Sequence, residues 1–469
     1  MSTEPIEYDN QEIDWLRQAA ENGIVQAQLV LAEHYLSGDV VEKDESMALR
    51  LFTQAYENGY IGAMVKIAEL YLDDGPVPID FEQAFRCFRQ AAIDGDPLGH
   101  YRVGCMYLDG VGVPQQFDRA HEHFNTAQLL GVPEASWKLG LMSRDGLLGK
   151  PEIEKAVEYF ERAHDQDIWE ASVALGELYL EGKGVPRDSR RAREYFKSAG
   201  SKGNADAQYL LGRMYCLGLE LGKDLKRAAL WLEMAVENEH PKAMTLLGSM
   251  HLLGVGVEVS PETAAGLFER ACRYDEGDAL AKLAWMYHTG KGVEASDKKA
   301  RELALKSAEL GSAYGAYLLG DLYYHGSFGE GAEQSALKSY ILSAERGYVP
   351  ALIRVAEMFR DGAGVPKDTI QAFNLYLRAA LSGSRKGQLE VARLYGKSGD
   401  GEINLADSIP VKVDNQLVEA YKWYTLAATG SDDISKAAKQ ERDELNKRMS
   451  ASQVLEAQKL ASQIWNVFQ

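Results

Sequence analysis

The sequence predicts an all-α protein, a right-handed superhelical solenoid of about eleven 36-residue helix-turn-helix repeats. Three observations carry that prediction. Alanine recurs at one fixed step at Ala48, Ala84, Ala120, Ala156, Ala192, Ala228, Ala264, Ala300, Ala336 and Ala372. A second series at the same step holds only small residues: Ala27, Ala63, Gly99, Ala135, Ala171, Ala207, Ala243, Ala279, Gly315, Ala351 and Gly387. Glycine punctuates both, at Gly23, Gly59, Gly95, Gly131, Gly203, Gly311, Gly347 and Gly383, and again from Gly38 and Gly110 through Gly146, Gly182, Gly218, Gly254, Gly290, Gly326 and Gly362. A step of 36 is also ten helical turns, so one long helix would show it too. The glycines exclude that, because they end helices in the left-handed conformation.

Each repeat opens with an N-cap residue. Asp44, Asp80, Asp188, Asp224, Ser260, Ser296 and Asp368 lie four residues before the first-series alanine, where their oxygens can accept the orphan N–H groups of a first turn. The first helix follows, as in "AVEYFERA" and "AREYFKSA", with apolar residues at i, i+4 and i+7 on one face. Pro97, Pro133 and Pro241 then fall in the first turn of a second helix, where the missing N–H is harmless. In that helix a leucine comes four residues after the small residue. A glycine or alanine such as Gly104, Gly176, Gly248 or Ala284 follows it, and then a tyrosine at 35, 71, 107, 179, 215, 287, 323 and 395. Small residues let helix axes approach, and large ones fill the flanking grooves. One pair can bury only one side of such a surface, so pairs must stack.

The link "GKGVP" at 182–186 would read alone as a phosphate loop. It lacks the G-x-x-x-x-G-K-[ST] spacing, and no strand precedes it. Its relatives at 107–114, 251–258, 287–294 and 359–366 make it a structural turn.

The pattern A-x-x-[WYL]-[FYL]-x-x-A-x-x-x-G-x-x-x-A-x-x-x-L-G-x-x-Y-x-x-G-x-G-V resembles the Sel1-like repeat, a relative of the tetratricopeptide repeat, over residues 12–430. The resemblance implies a non-enzymatic adaptor that holds a protein or peptide in a concave groove lined by the second helices. It also implies two alternatives. One is a hydrolase of the β-lactamase-like kind described for cysteine-rich members. The other is a regulatory subunit of an envelope or secretion assembly. The cysteine-rich members staple each repeat. Cys272 stands like their first cysteine, but Leu280 occupies the partner's place, so no staple is expected.

The bulk numbers narrow the function further. Asp plus Glu total 70 against 51 Lys plus Arg, a net charge of −19, which disfavours nucleic acid and anionic membrane. The acidic balance is read first as solubility and second as selection for a basic partner segment. Four scattered cysteines without a CxxC pair suggest a reducing compartment, and the expected location is cytoplasmic. No apolar run reaches transmembrane length, and the start "MSTEPIEYDNQEIDW" carries no leader-like apolar segment. Residues 1–10 are expected to be disordered, 11–430 to form the solenoid with a loop insertion at 396–417, and 431–469 to form two capping helices, over 433–448 and from Ser450.

No catalytic, cofactor or metal residues are identified. His121 and His123 sit two apart on a helix and point to different faces, so they are read as surface histidines. The expected binding stripe lies two, six, nine and ten residues after the second-series small residue, where residues vary between copies. It gives a groove of Tyr101, Trp137, Tyr209, Trp285, Tyr317, Tyr324, Arg213 and Arg360, and an acidic edge of Glu69, Asp73, Asp109, Asp145 and Glu181. Aromatics with arginine anchor protein interfaces. The competing reading is that part of this stripe packs against the neighbouring helix.

Overall fold

A computed structural model describes residues 10–73, 78–219, 222–326, 331–399 and 415–468. They form 25 helices and no strand among the described residues. The chain divides into two compact units, Met1–Lys223 and Asp224–Gln469. Eleven helix pairs run from Asn10–Glu21 to Arg385–Gly399. Gln416–Ala427 begins a twelfth pair, and Asp433–Asn446 and Ala451–Phe468 close the chain.

The local signals act as read. Asp44, Asp80, Asp188, Asp224, Ser260, Ser296 and Asp368 each cap a first helix, accepting from N–H groups two or three residues on. Pro97, Pro133 and Pro241 occupy the first turn of a second helix. Gly182 ends its helix with φ 69°. The next glycine of that link, Gly184, lies against the start of its own repeat's first helix, where a Cβ would meet Ile153 at 2.6 Å. Gly256 meets the Leu225 carbonyl at 2.6 Å, and Gly292 meets Pro261 at 2.6 Å. The G-x-G of the link is therefore a chain crossing that leaves no room for a side chain.

Gly326 departs from expectation, with an extended backbone at φ −86°, ψ 159°. Its link is one residue shorter than the G-x-G-V links and lacks their sequence, and Gly331 takes the positive φ of 87° just before the Ala332–Glu345 helix. The glycine series between paired helices skips 167, 239 and 275. There Asp167, Glu239 and Asp275 adopt the same left-handed conformation, at φ 69°, 60° and 52°. Each is tied to the following repeat, Asp167 by Lys202, Glu239 by the Tyr274 hydroxyl and Asp275 by Lys306.

The core is made between repeats. Within each unit, a second helix packs more extensively on the first helix of the next repeat than on its own partner. A small residue at the contact explains why: it is alanine at 32, 68, 284, 356 and 392, all fully buried, and glycine in the other repeats. A Cβ on Gly104, Gly176, Gly248 or Gly320 would stand 2.8, 2.5, 2.7 or 2.6 Å from the ring of Phe124, Phe196, Phe268 or Tyr340, and Gly140 faces Phe160 likewise. Those rings are fully buried. At the end of the second unit, Ala438 and Leu445 of one cap helix and Ala457 and Ala461 of the other join Val418 and Trp423 in one core. The loop expected over 396–417 is shorter at both ends, because helices continue to Gly399 and resume at Gln416. Residues 400–414 of that insertion, and residues 1–9, lie outside the described residues.

Two substitutions test these contacts with opposite signs. Alanine for an interior helix glycine ordinarily gains roughly 1 kcal/mol. In Gly176→Ala the clash with Phe196 should outweigh that gain and destabilise by about 1–3 kcal/mol. Glu239→Gly should stabilise by about 1 kcal/mol, as relief of the left-handed backbone exceeds one exposed hydrogen bond. Urea unfolding followed by circular dichroism reads both.

Candidate functional site

The second helices carry the candidate surface, and its stripe splits in two. The position six after the small residue is accessible in every repeat, from Glu33, Glu69 and Cys105 to Asp321, Glu357 and Arg393. The position two after it is half-buried or buried. Val65, Thr245, Ala281, Ile353 and Leu389 are core, whereas Tyr101, Trp137, Tyr209 and Tyr317 keep part of their surface.

The aromatic residues of that stripe lie over the rings of the repeat that follows. Tyr101 sits 5.8 Å from Phe124, Trp137 5.1 Å from Phe160 and Tyr317 5.6 Å from Tyr340, centroid to centroid. Each thus supports the interhelical contact with one face. Tyr209 carries Arg213 at 5.8 Å, and Trp285 carries Lys291 at 5.9 Å. Tyr324 is exposed beside His325, at 5.0 Å. In the first unit Glu69 bridges Lys66 and Arg102, Asp145 pairs with Arg144 and Glu181 with Lys183, while Asp73 and Asp109 face solvent.

In the second unit the same face holds a polar network that the sequence reading missed. Tyr340 donates to Asp321 at 2.6 Å, and Arg354 reaches Asp321 at 3.5 Å, Glu357 at 3.3 Å and the Tyr317 hydroxyl at 3.4 Å. Lys386 pairs with Glu357 at 2.6 Å. Arg360 bonds Asp361 and reaches the Tyr376 hydroxyl at 3.4 Å. Arg393 joins Glu390 to Glu441 of the cap, and Tyr424 donates to Glu441 at 3.0 Å. Burial and the Asp321 carboxylate keep the Tyr340 phenol protonated, so it acts as a donor. The sequence did carry a signal. The buried ring is phenylalanine in most repeats but tyrosine at 340, 376 and 424, the positions whose hydroxyls enter this network.

The twelve segments 13–24, 25–60, 61–96, 97–131, 133–167, 169–204, 205–240, 241–273, 277–312, 313–348, 349–384 and 401–432 match the Sel1 repeat. The chain belongs to the Sel1 repeat family. A Sel1 unit so framed starts at a second helix and ends with the next first helix, the pair in tightest contact here. A solved protein from uropathogenic Escherichia coli, c5321, a protective antigen displaying an SLR fold, is 26% identical with a TM-score of 0.76. The alignment covers 96% of this chain and 94% of that one. A Sel1 repeat protein from Oxalobacter formigenes is 27% identical with a TM-score of 0.55, over 69% of this chain and 95% of that one. No curated protein matches the chain by sequence.

The histidine reading needs correction. His121 and His123 do point to different faces, but neither is a free surface residue. His121 lines a cavity of about 340 Å³ with Lys155 and Tyr159, and His123 is half-buried against His100. All four cysteines of this Sel1 repeat protein are half-buried thiols. Burial raises each thiol, that of Cys272 to about 12, which leaves little thiolate for nucleophilic chemistry.

Tyr340→Phe should leave the ring packing intact, as phenylalanine serves in the sister repeats, yet cost about 1 kcal/mol through the lost hydrogen bond to Asp321. A double-mutant cycle with Arg354→Met, read by chemical unfolding, should show coupling between the two sites.

Proposed function

We propose that the protein is a non-enzymatic interaction scaffold that holds a peptide or protein partner along its second-helix face. One observation carries this reading. The six-after position is accessible in all eleven repeats while its residue changes from Glu to Cys, Leu, Arg, Ser, Trp and Asp. The neighbouring packing positions stay small and buried. A surface kept open and varied on an invariant frame suits recognition, and a pre-ordered surface limits the entropy lost on binding.

Charge suggests the partner. Glu33, Glu69, Asp73, Asp109, Asp145, Glu177 and Glu181 give the first unit's face an acidic bias, so a basic segment is its complement. Glu69, Asp145 and Glu181 are paired there with Arg102, Arg144 and Lys183, as Asp321 and Glu357 of the second unit are with Arg354 and Lys386, so a basic segment would compete with these pairs, and the aromatic residues add contact area. Nucleic acid does not fit the net charge of −19. No helix of the described residues is long and apolar enough to cross a membrane. The cytoplasm is the proposed location, where the four thiols stay reduced.

A photo-crosslinking residue in place of Glu177, on the second-helix face, should capture a defined partner in source cells. One in place of Glu158, on an exposed first-helix face, should not. Reversing Glu69, Asp109 and Asp145 to lysine should abolish capture without changing the melting temperature. Equal capture from both positions would refute the groove, and turnover of nitrocefin by the purified protein would favour the hydrolase alternative.

A further inference from the structure

In three repeats a buried glutamine, one residue after the second-series small residue, donates its amide to a carbonyl eight residues earlier. Gln28 reaches Ala20 at 3.1 Å, Gln208 reaches Gly200 at 2.9 Å and Gln388 reaches Ala380 at 3.4 Å. These carbonyls end the first helix and lack a partner within it. In the third pair the same position is His100, whose ring lies near the corresponding carbonyl, that of Ala92, which acts to raise its pKa against the lowering effect of burial. The Nδ1 of His100 faces the Nδ1 of His123 at 3.2 Å, across the contact between one repeat and the next. One Nδ1 carries the hydrogen that the other accepts, so the pair holds a single hydrogen between its two facing nitrogens.

We propose that His100 and His123 form a two-nitrogen site for a late first-row transition-metal ion of the zinc(II) and copper(II) class. The geometry fits one ion. Two imidazole nitrogens bound to a single tetrahedral zinc at roughly 2.0–2.1 Å each lie about 3.1–3.4 Å apart. Imidazole is the donor these ions favour. Burial lowers both rings, so they are neutral at pH 7. The ion displaces the single hydrogen shared by the two Nδ1 atoms, and that hydrogen moves to Nε2 of the ring that carried it. Asp96 acts on His100 and Glu122 on His123 to offset Arg119 and Arg89. Among the described residues no third His, Cys, Asp or Glu completes the set, so water fills the remaining positions.

The repeats supply variants that keep the fold. His100→Gln restores the strut used at 28, 208 and 388, and His123→Tyr installs the residue found at the matching 159 and 195. The full chain, free of tag histidines, is titrated with zinc chloride by calorimetry and with copper(II) by electron paramagnetic resonance. One zinc ion per chain and a copper signal with two nitrogen couplings are expected. Losing a group that merely orients a ligand costs roughly 10–100-fold in affinity, so each variant should lose at least that. His121→Gln should bind as the native chain does, and all variants should melt with it. Native-like binding by His100→Gln and His123→Tyr, or no binding by the native chain, would overturn the site.

Discussion

A small residue of one repeat pressed against a buried side chain of the next is the contact on which the stack depends, and it is tightest where a phenyl ring lies on a glycine. Wherever Gly104, Gly140, Gly176 or Gly248 occurs in a second helix, the next repeat drives a buried phenylalanine into the space a methyl group would fill. Dispersion falls steeply with distance, so contact this close is where most of the packing energy gathers. The rest of the repeat follows from it. Leucine and tyrosine fill the grooves on either side, the capping residues end the helices at lengths that keep the rings in register, and the link glycines bring the chain back without obstruction.

That constraint also shapes the recognition face. Aromatic residues two after the small residue lie partly over the same rings, so they belong to the frame and to the surface at once. Positions one turn further are released from packing. In the second unit, tyrosine in place of phenylalanine lets the frame send a hydroxyl into the surface network, which couples Asp321 and Glu441 to the core behind them.

The fold was legible because it is periodic. Caps, prolines, small residues and glycines recur at one step, and each recurrence multiplies a weak local signal. What is not periodic was not legible. Asp167, Glu239 and Asp275 take a glycine's conformation that their types do not announce. His100 and His123 meet across a repeat boundary although 23 residues separate them. Within the candidate face, the sequence marked which positions vary but could not separate those leaning on the next helix from those free of it. That difference depends on side-chain direction in a neighbouring turn.

The greater intimacy between successive repeats than within a helix pair has a consequence for how the protein comes apart. Losing a terminal helix alone would uncover the small buried residue of its neighbour, whereas parting the two helices of one pair breaks the shallower seam. Fraying from an end should therefore proceed in steps of one second helix with the first helix that follows it. A protease working inward would find its cleavable bonds at the short turns between paired helices, and the long links would stay shielded until last.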